Sequence, residues 1–265
     1  MLTDRFPLLK GLILDMDGVL WRDNEAIGNL PQIFDTIRKL GLSFVLATNN
    51  STKTVESYID KLNGFGVSLK PWQVIGTAQV TLEYLKHHFP AGSKVYVLGS
   101  DEMKRLFSSN SFHVLELDES PYAEAVVVGL DKMVNYETLR YASQLIRKGA
   151  RFIATNTDGT FPVPGGFIPG AGTIVKAVEV ASVTKPIVIG KPEPLLFQRA
   201  MQLMGTIPTE TMAVGDRLET DIQGAHNAGI LNALVLSGVA TVEDSKKLPF
   251  EIDQIADNLW ELLNV

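Results

Sequence analysis

Residues 11–20 read Gly-Leu-Ile-Leu-Asp-Met-Asp-Gly-Val-Leu, and this stretch decides the fold. The unbroken apolar run before Asp15 is that of a strand covered on both faces, as in a parallel sheet. It stops at Asp15, Met16, Asp17 and Gly18. Two carboxylates so close together at the end of a buried strand repel each other and are partly desolvated. A divalent cation is the simplest group to offset that cost. Gly18 lets the backbone turn sharply and aim N–H groups at an anion. On these residues alone, a strand ending in an ordinary Asp- and Gly-rich turn explains the pattern equally well.

Just downstream, residues 21–28 read as an irregular loop. Asn29 and Pro31 open a helix that carries Ile33, Phe34, Ile37 and Leu40 on one face and stops at Gly41. Residues 43–47 form a second apolar strand, which ends in Thr48, Asn49, Asn50, Ser51 and Thr52. A helix over 53–62 follows. This β-α-β-α order belongs to a doubly wound parallel sheet. Such sheets gather ligands beyond the carboxyl ends of their strands, so Asp15, Asp17 and Thr48 are expected at one rim. A hydroxyl and backbone N–H groups at a helix start suit phosphate. Taken alone, Thr-Asn-Asn-Ser-Thr is first of all a helix cap.

Residues 76–185 form a second α/β block. Helices are expected over 77–89, 101–107 and 135–147, and strands over 94–98, 124–129 and 151–154. The last strand ends in Thr155-Asn156-Thr157-Asp158. Residues 146–156 echo residues 37–49, each running helix, glycine, strand, Thr-Asn; convergence on a common turn is the alternative. Residues 159–172 are too long and too rich in glycine and proline for a plain connector, and are expected to form a hairpin or flap near a site. Neither a dinucleotide fingerprint nor a Walker motif is present. From 186 the first pattern returns: a strand over 186–189, Gly190-Lys191-Pro192, a helix over 193–204 and a strand over 211–214. Gly215-Asp216-Arg217-Leu218-Glu219-Thr220-Asp221 comes next, then a helix over about 220–228 and a strand over 231–236. The expected fold is α/β. Residues 1–75 and 186–265 build a doubly wound, Rossmann-like core, and residues 76–185 are an inserted α/β cap.

Composition narrows the function classes. The 265 residues carry a net charge of −6 and no basic block, so no nucleic-acid partner is expected. The chain has no cysteine, which excludes disulfides and thiolate metal sites. Its four histidines lack zinc-site spacing. There is no signal-peptide pattern, and no run approaches the ~18 apolar residues of a membrane span. A cytoplasmic protein without membrane contact is expected, and a homo-oligomer is compatible with this reading.

Asp216 falls just past a strand, like Asp15, and Asp221 falls in the first turn of the following helix. Each acidic residue alone is ordinary, and so is Lys191 before its proline. Jointly, Asp15, Asp17, Asp216 and Lys191, with Asp221 behind them, make an all-oxygen Mg²⁺ site with a compensating cation beside a phosphate pocket.

Asp-Met-Asp-Gly-Val, Thr-Asn-Asn, Gly-Lys-Pro and Gly-Asp-Arg-Leu-Glu-Thr-Asp occur in that order and resemble the four motifs of haloacid dehalogenase-like hydrolases. With Ala154-Thr-Asn-Thr-Asp in the insert, the chain is similar to the NagD and 4-nitrophenylphosphatase group, whose large α/β (C2-type) cap lies between the second and third motifs. The resemblance covers essentially the whole sequence. It implies a phosphatase in which Asp15 is the nucleophile and forms an aspartyl-phosphate. Asp17 would protonate the leaving alcohol and then activate water. Gly18, Thr48, Asn49, Asn50 and Lys191 would hold the phosphoryl group. Mg²⁺ would bind Asp15, the backbone carbonyl of Asp17, and Asp216, with Asp221 behind. The partner would be a small-molecule phosphate ester: a sugar phosphate, a nucleotide, pyridoxal phosphate or an aryl phosphate. Thr48 follows the second strand of the sheet that carries Asp15, so Thr155 falls to the cap. There Asn156, Asp158 and the flap at 161–169 would select the substrate. A phosphotransferase or mutase using the same intermediate is one alternative. A non-catalytic Mg²⁺- or phosphate-binding module is another, although it would have no use for Asp17.

Overall fold

The computed structural model describes residues 1–163 and 165–264; Pro164, inside the expected flap, and the terminal residue of the second core segment lie outside the described residues. The chain forms two compact units. One comprises residues 1–48, 55–75 and 191–265, and the other comprises residues 49–54 and 76–190.

The first unit is built on a six-stranded sheet. Its order is Gln254–Ala256, Leu231–Val235, Thr211–Gly215, Gly11–Leu14, Ser43–Thr48 and Val74–Gly76. Gly11–Leu14 is central and buried throughout, which explains its continuous apolar run. It pairs in parallel with both neighbours: Leu14 stands opposite Val214 on one side and Leu46 on the other. Later strands are added outward in both directions, so the chain reverses its direction of travel across the sheet at this strand. Ligands bind at such a switch point.

The expected helix runs Leu30–Lys39, with the Asn29 side chain accepting from Gln32 N at 3.1 Å. It buries Ile33, Phe34 and Ile37, and the Phe34 ring sits 5.0 Å from that of Phe44 on the neighbouring strand. Truncating a fully buried phenylalanine such as Phe34 to alanine costs about 3–5 kcal/mol.

Three features of this unit differ from expectation. Val74–Gly76 is a sixth core strand, too short to show periodicity. Trp21–Arg22 and Glu25–Ala26 form an antiparallel hairpin where an irregular loop was expected. Its tight turn uses Asp23 at φ 49°, a conformation that Asp tolerates better than most residues. Finally, the helix expected from about residue 220 begins with a π-helical turn, Leu218–Ile222, before the α-helix Gln223–Ala228. Single π turns widen a helix and recur at functional sites.

The second unit has a five-stranded parallel sheet. Its order is Ile187–Val188, Arg151–Ala154, Ala125–Val128, Lys94–Leu98 and His113–Leu115. Ile187–Val188, expected to return to the core sheet, pairs instead with Ile153 and Ala154. Two paired residues carry no pattern that says which sheet they will join. Thr160–Val163 and Gly166–Pro169 form an antiparallel hairpin in the segment read as a flap. This unit has its own core, in which Val126, Val128 and Phe152 pack against Ile174, Val175 and Val178 of the helix Ala171–Ser182. No helix among the described residues is long and apolar enough to cross a membrane.

Candidate active site

Asp15 is the first residue past the central strand, and its N–H donates to Val214 O at 2.9 Å. The strand Thr211–Gly215 delivers Asp216 beside it, and the π turn delivers Asp221. Each of Asp15, Asp216 and Asp221 brings one carboxylate oxygen within 4.8 Å of the others. Among them sits Lys191, only 3% exposed. Its Nζ lies 2.6 Å from Asp15 Oδ1, 2.6 Å from Asp221 Oδ1 and 3.1 Å from Ala47 O. These three acceptors match the three N–H donors of an ammonium.

The local charge is out of balance, with three carboxylates around one ammonium. Burial opposes the charge on Lys191, but Asp15 and Asp221 outweigh it and hold its pKa above the ordinary lysine value. Burial pushes the Asp15 carboxyl well above its usual range. Lys191 draws it back, and Asp221 and Asp216 add to the rise. Asp216 is pushed up to about 6 by burial and by Asp221. A second cation would relieve this excess of negative charge.

The backbone around these carboxylates leaves no spare room. Gly18 has φ +85°, and a Cβ there would meet Asp216 Oδ2 at 2.4 Å. A Cβ on Gly238 would lie 1.9 Å from the same oxygen, and one on Gly215 would lie 2.1 Å from the Asp221 Cβ. Asp216 Oδ2 accepts from Val239 N at 2.8 Å. Its Oδ1 is buried and has no hydrogen-bond partner among the described residues. A buried anionic oxygen without a donor, next to two more carboxylates, fits a hard divalent cation.

Asp17 is placed differently. It is exposed, and its carboxylate stands outside the three-carboxylate group. Its Oδ1 accepts from the Trp21 indole Nε1 at 2.8 Å. Asp221, expected behind the site, is one of the three grouped carboxylates and also accepts from Arg217 N at 3.1 Å. Gly18 is fixed at both ends of its peptide: its N–H donates to Trp21 O at 2.8 Å, and its O accepts from Ser237 Oγ at 2.7 Å. Thr48 is the last residue of its strand and is buried.

In the second unit, residues 49–52 and 155–158 are tied together. Asn49 O accepts from Asn156 Nδ2 at 2.8 Å and from Thr77 Oγ1 at 2.9 Å. Asn49 Nδ2 donates to both Asp158 oxygens, at 3.3 and 3.2 Å. Asn50 Oδ1 is engaged locally, accepting from Thr52 N at 2.9 Å and Thr52 Oγ1 at 2.7 Å. Asn156 is itself only 4% exposed. The Asn156 amide nitrogen and the Asp158 carboxylate thus both bond to Asn49, in the segment that follows Thr48.

Sequence reasoning missed Trp21, Gly238 and Val239. The last two follow the apolar strand Leu231–Val235, and their place just past a strand end in a doubly wound sheet was the signal available. Trp21 offered none, because its role depends on where its indole points.

The haloacid dehalogenase-like hydrolase family matches residues 12–113, and the HAD-hydrolase-like family matches residues 188–262. An acid sugar phosphatase of Staphylococcus aureus (strain MRSA252) is 36% identical over 242 residues, which is 91% of this chain and 92% of that protein. NagD from E. coli K-12 superposes with a TM-score of 0.86 at 31% identity, over 96% of this chain and 98% of its own. A glycerol phosphate phosphatase from Mycobacterium tuberculosis, solved in complex with magnesium, superposes with a TM-score of 0.87 at 27% identity, over 97% of this chain and 77% of its own. The motifs, the fold and these likenesses agree over nearly the whole length, and the chain belongs to the haloacid dehalogenase-like hydrolases, in their NagD-like group.

Proposed function

We propose that this protein is a Mg²⁺-dependent phosphatase of small-molecule phosphomonoesters that works through a phosphoryl group carried on Asp15. The observation that carries this reading is the Lys191 ammonium between Asp15 and Asp221, beside the partnerless Asp216 oxygen. A receiver-like binding module has no need of a second, separately held carboxylate at Asp17. The likeness to an acid sugar phosphatase and a glycerol phosphate phosphatase supports sugar and polyol phosphates as the substrates to try first.

In the first step an Asp15 oxygen attacks phosphorus and the bond to the ester oxygen breaks. Asp17 donates its proton to the departing alkoxide. In the second step Asp17 takes a proton from water as the water oxygen attacks phosphorus, which frees Asp15 and releases inorganic phosphate. Lys191 offsets charge on Asp15 and on the phosphoryl group throughout. Asp15, the Asp17 carbonyl and Asp216, with Asp221 adjoining, would hold Mg²⁺, whose positive charge would offset that of the phosphate dianion. Thr48, Asn49 and Asn50 are assigned the phosphoryl oxygens on their motif positions, whereas Gly18, expected among them, already donates its N–H to Trp21 O. Catalysis is then mostly positioning and charge stabilisation. These residues recognise only the phosphoryl group that all substrates share. Choice among leaving groups falls to the inserted segment, residues 76–185, which carries none of the four motifs.

A panel of phosphomonoesters assayed for inorganic phosphate, with Mg²⁺ and with excess EDTA, tests this. Hydrolysis that needs Mg²⁺ is expected. Full activity in EDTA overturns the metal assignment, and transfer to an acceptor without phosphate release overturns the hydrolase assignment.

A further inference from the structure

We propose that Trp21 is a positioning residue for proton transfer, its indole N–H holding the Asp17 carboxylate in one orientation. The proposal rests on Asp17 being the acid and base of the phosphatase described above.

An exposed aspartate free to change rotamer spends much of its time away from any fixed reacting atom. Asp17 is exposed, yet its Oδ1 is held at 2.8 Å by Trp21 Nε1. The holder is immobile, because Trp21 is 0% exposed. Its ring stacks on Phe65 at a centroid distance of 6.0 Å, and the Lys61 ammonium lies over the ring, 4.1 Å from its centroid. Lys61 Nζ also donates to Asp23 O at 2.6 Å, so one lysine clamps both the ring and the turn of the hairpin that carries it. Arg22 Nε donates to Ser237 O at 2.7 Å and ties that hairpin to the loop beyond Leu231–Val235.

The chemistry of the donor suits the task. An indole has one N–H and no acceptor, so it engages one carboxylate oxygen and leaves the other for the proton in transit. A buried indole N–H also needs a partner, so the geometry is maintained from the tryptophan side. Leucine or phenylalanine at position 21 would fill the core as well, but neither could hold Asp17.

The test is leaving-group dependence. Trp21→Phe keeps a ring on Phe65 and under Lys61 and removes the donor. With Mg²⁺ present, kcat/KM for phenyl phosphate, whose leaving group needs the proton, should fall about tenfold. This is part of the roughly hundredfold or more that general acid catalysis supplies. The value for 4-nitrophenyl phosphate, whose leaving group does not need the proton, should change less than about twofold, and half-saturating Mg²⁺ should not move. In an Asp17→Asn background Trp21→Phe should add no further discrimination. Phe65→Leu should lower the melting temperature and leave the ratio of the two esters unchanged. If Trp21→Phe does not fold, replacing Trp21 with its sulfur isostere, benzothienylalanine, removes only the N–H and must give the same selective loss. Equal loss on both esters, or the same change of ratio in Phe65→Leu, overturns the positioning role while leaving the phosphatase reading intact. A parent protein that hydrolyses neither ester overturns both.

Discussion

The Lys191 ammonium meets the Asp15 carboxylate at 2.6 Å and is buried where it does so, with Asp221 at the same distance on another side. Lys191 therefore has a structural duty as well as a chemical one. Removing one partner of a buried ionic group costs about 3–5 kcal/mol, because the remaining charges are left uncompensated. Lys191→Met should lose that much stability in urea unfolding without metal, and lose turnover as well. Mg²⁺ should restore part of the stability and none of the turnover. An unfolding midpoint equal to that of the parent would show that the pair is not what holds these carboxylates together.

Asp15→Asn should behave in the opposite way towards stability. Burial disfavours the Asp15 charge, and Asp216 and Asp221 repel it. The neutral amide removes that repulsion while Lys191 keeps Asp221. The variant should melt at or above the parent temperature without Mg²⁺, yet show no turnover and no phosphoryl adduct by intact-mass analysis. Residual hydrolysis at the parent rate would place the nucleophile elsewhere.

Gly238→Ala should weaken the metal site from outside the motifs. Its Cβ would fall 1.9 Å from Asp216 Oδ2, so the carboxylate must move. Changes to groups that support metal ligands typically cost 10–100-fold in affinity. Half-saturating Mg²⁺ should rise by about tenfold or more. Gly64→Ala, where a Cβ meets nothing within 4 Å, should leave it unchanged.

Asn156→Ala discriminates between two roles. The Asn156 amide donates to Asn49 O, so its loss should loosen the segment after Thr48 and weaken binding of every phosphate ester alike. Stability should fall by about 0.5–1.5 kcal/mol, the usual net worth of one hydrogen bond, because Asn49 O keeps its bond from Thr77 Oγ1. KM should rise by a similar factor across a panel of esters. A reordered substrate ranking would instead support the specificity role expected from the position of Asn156 just past the strand Arg151–Ala154.

Lys191 follows Ile187–Val188, which joins the other sheet, so its place beside Asp15 was decided by tertiary structure, whereas the positions of Asp15, Thr48 and Asp216 were legible in the sequence for a simple reason. Each follows an apolar run that stops abruptly in polar residues. A parallel sheet brings the carboxyl ends of its strands to one side, so local punctuation alone determines which residues share a rim. The same patterning determined the α/β class and the order of the long elements. It did not say where the short strands Val74–Gly76 and Ile187–Val188 belong, since two or three residues have no period and pair wherever an edge is open. Nor did it show the direction of side chains. That Asp17 turns to Trp21, that Asp216 Oδ1 lacks a donor, that Gly238 makes room for Asp216, and that Asn156 binds Asn49 were all decided by tertiary structure. Each depends on a contact between residues that no local pattern couples, and only close packing of the folded chain selects one rotamer and one partner for them.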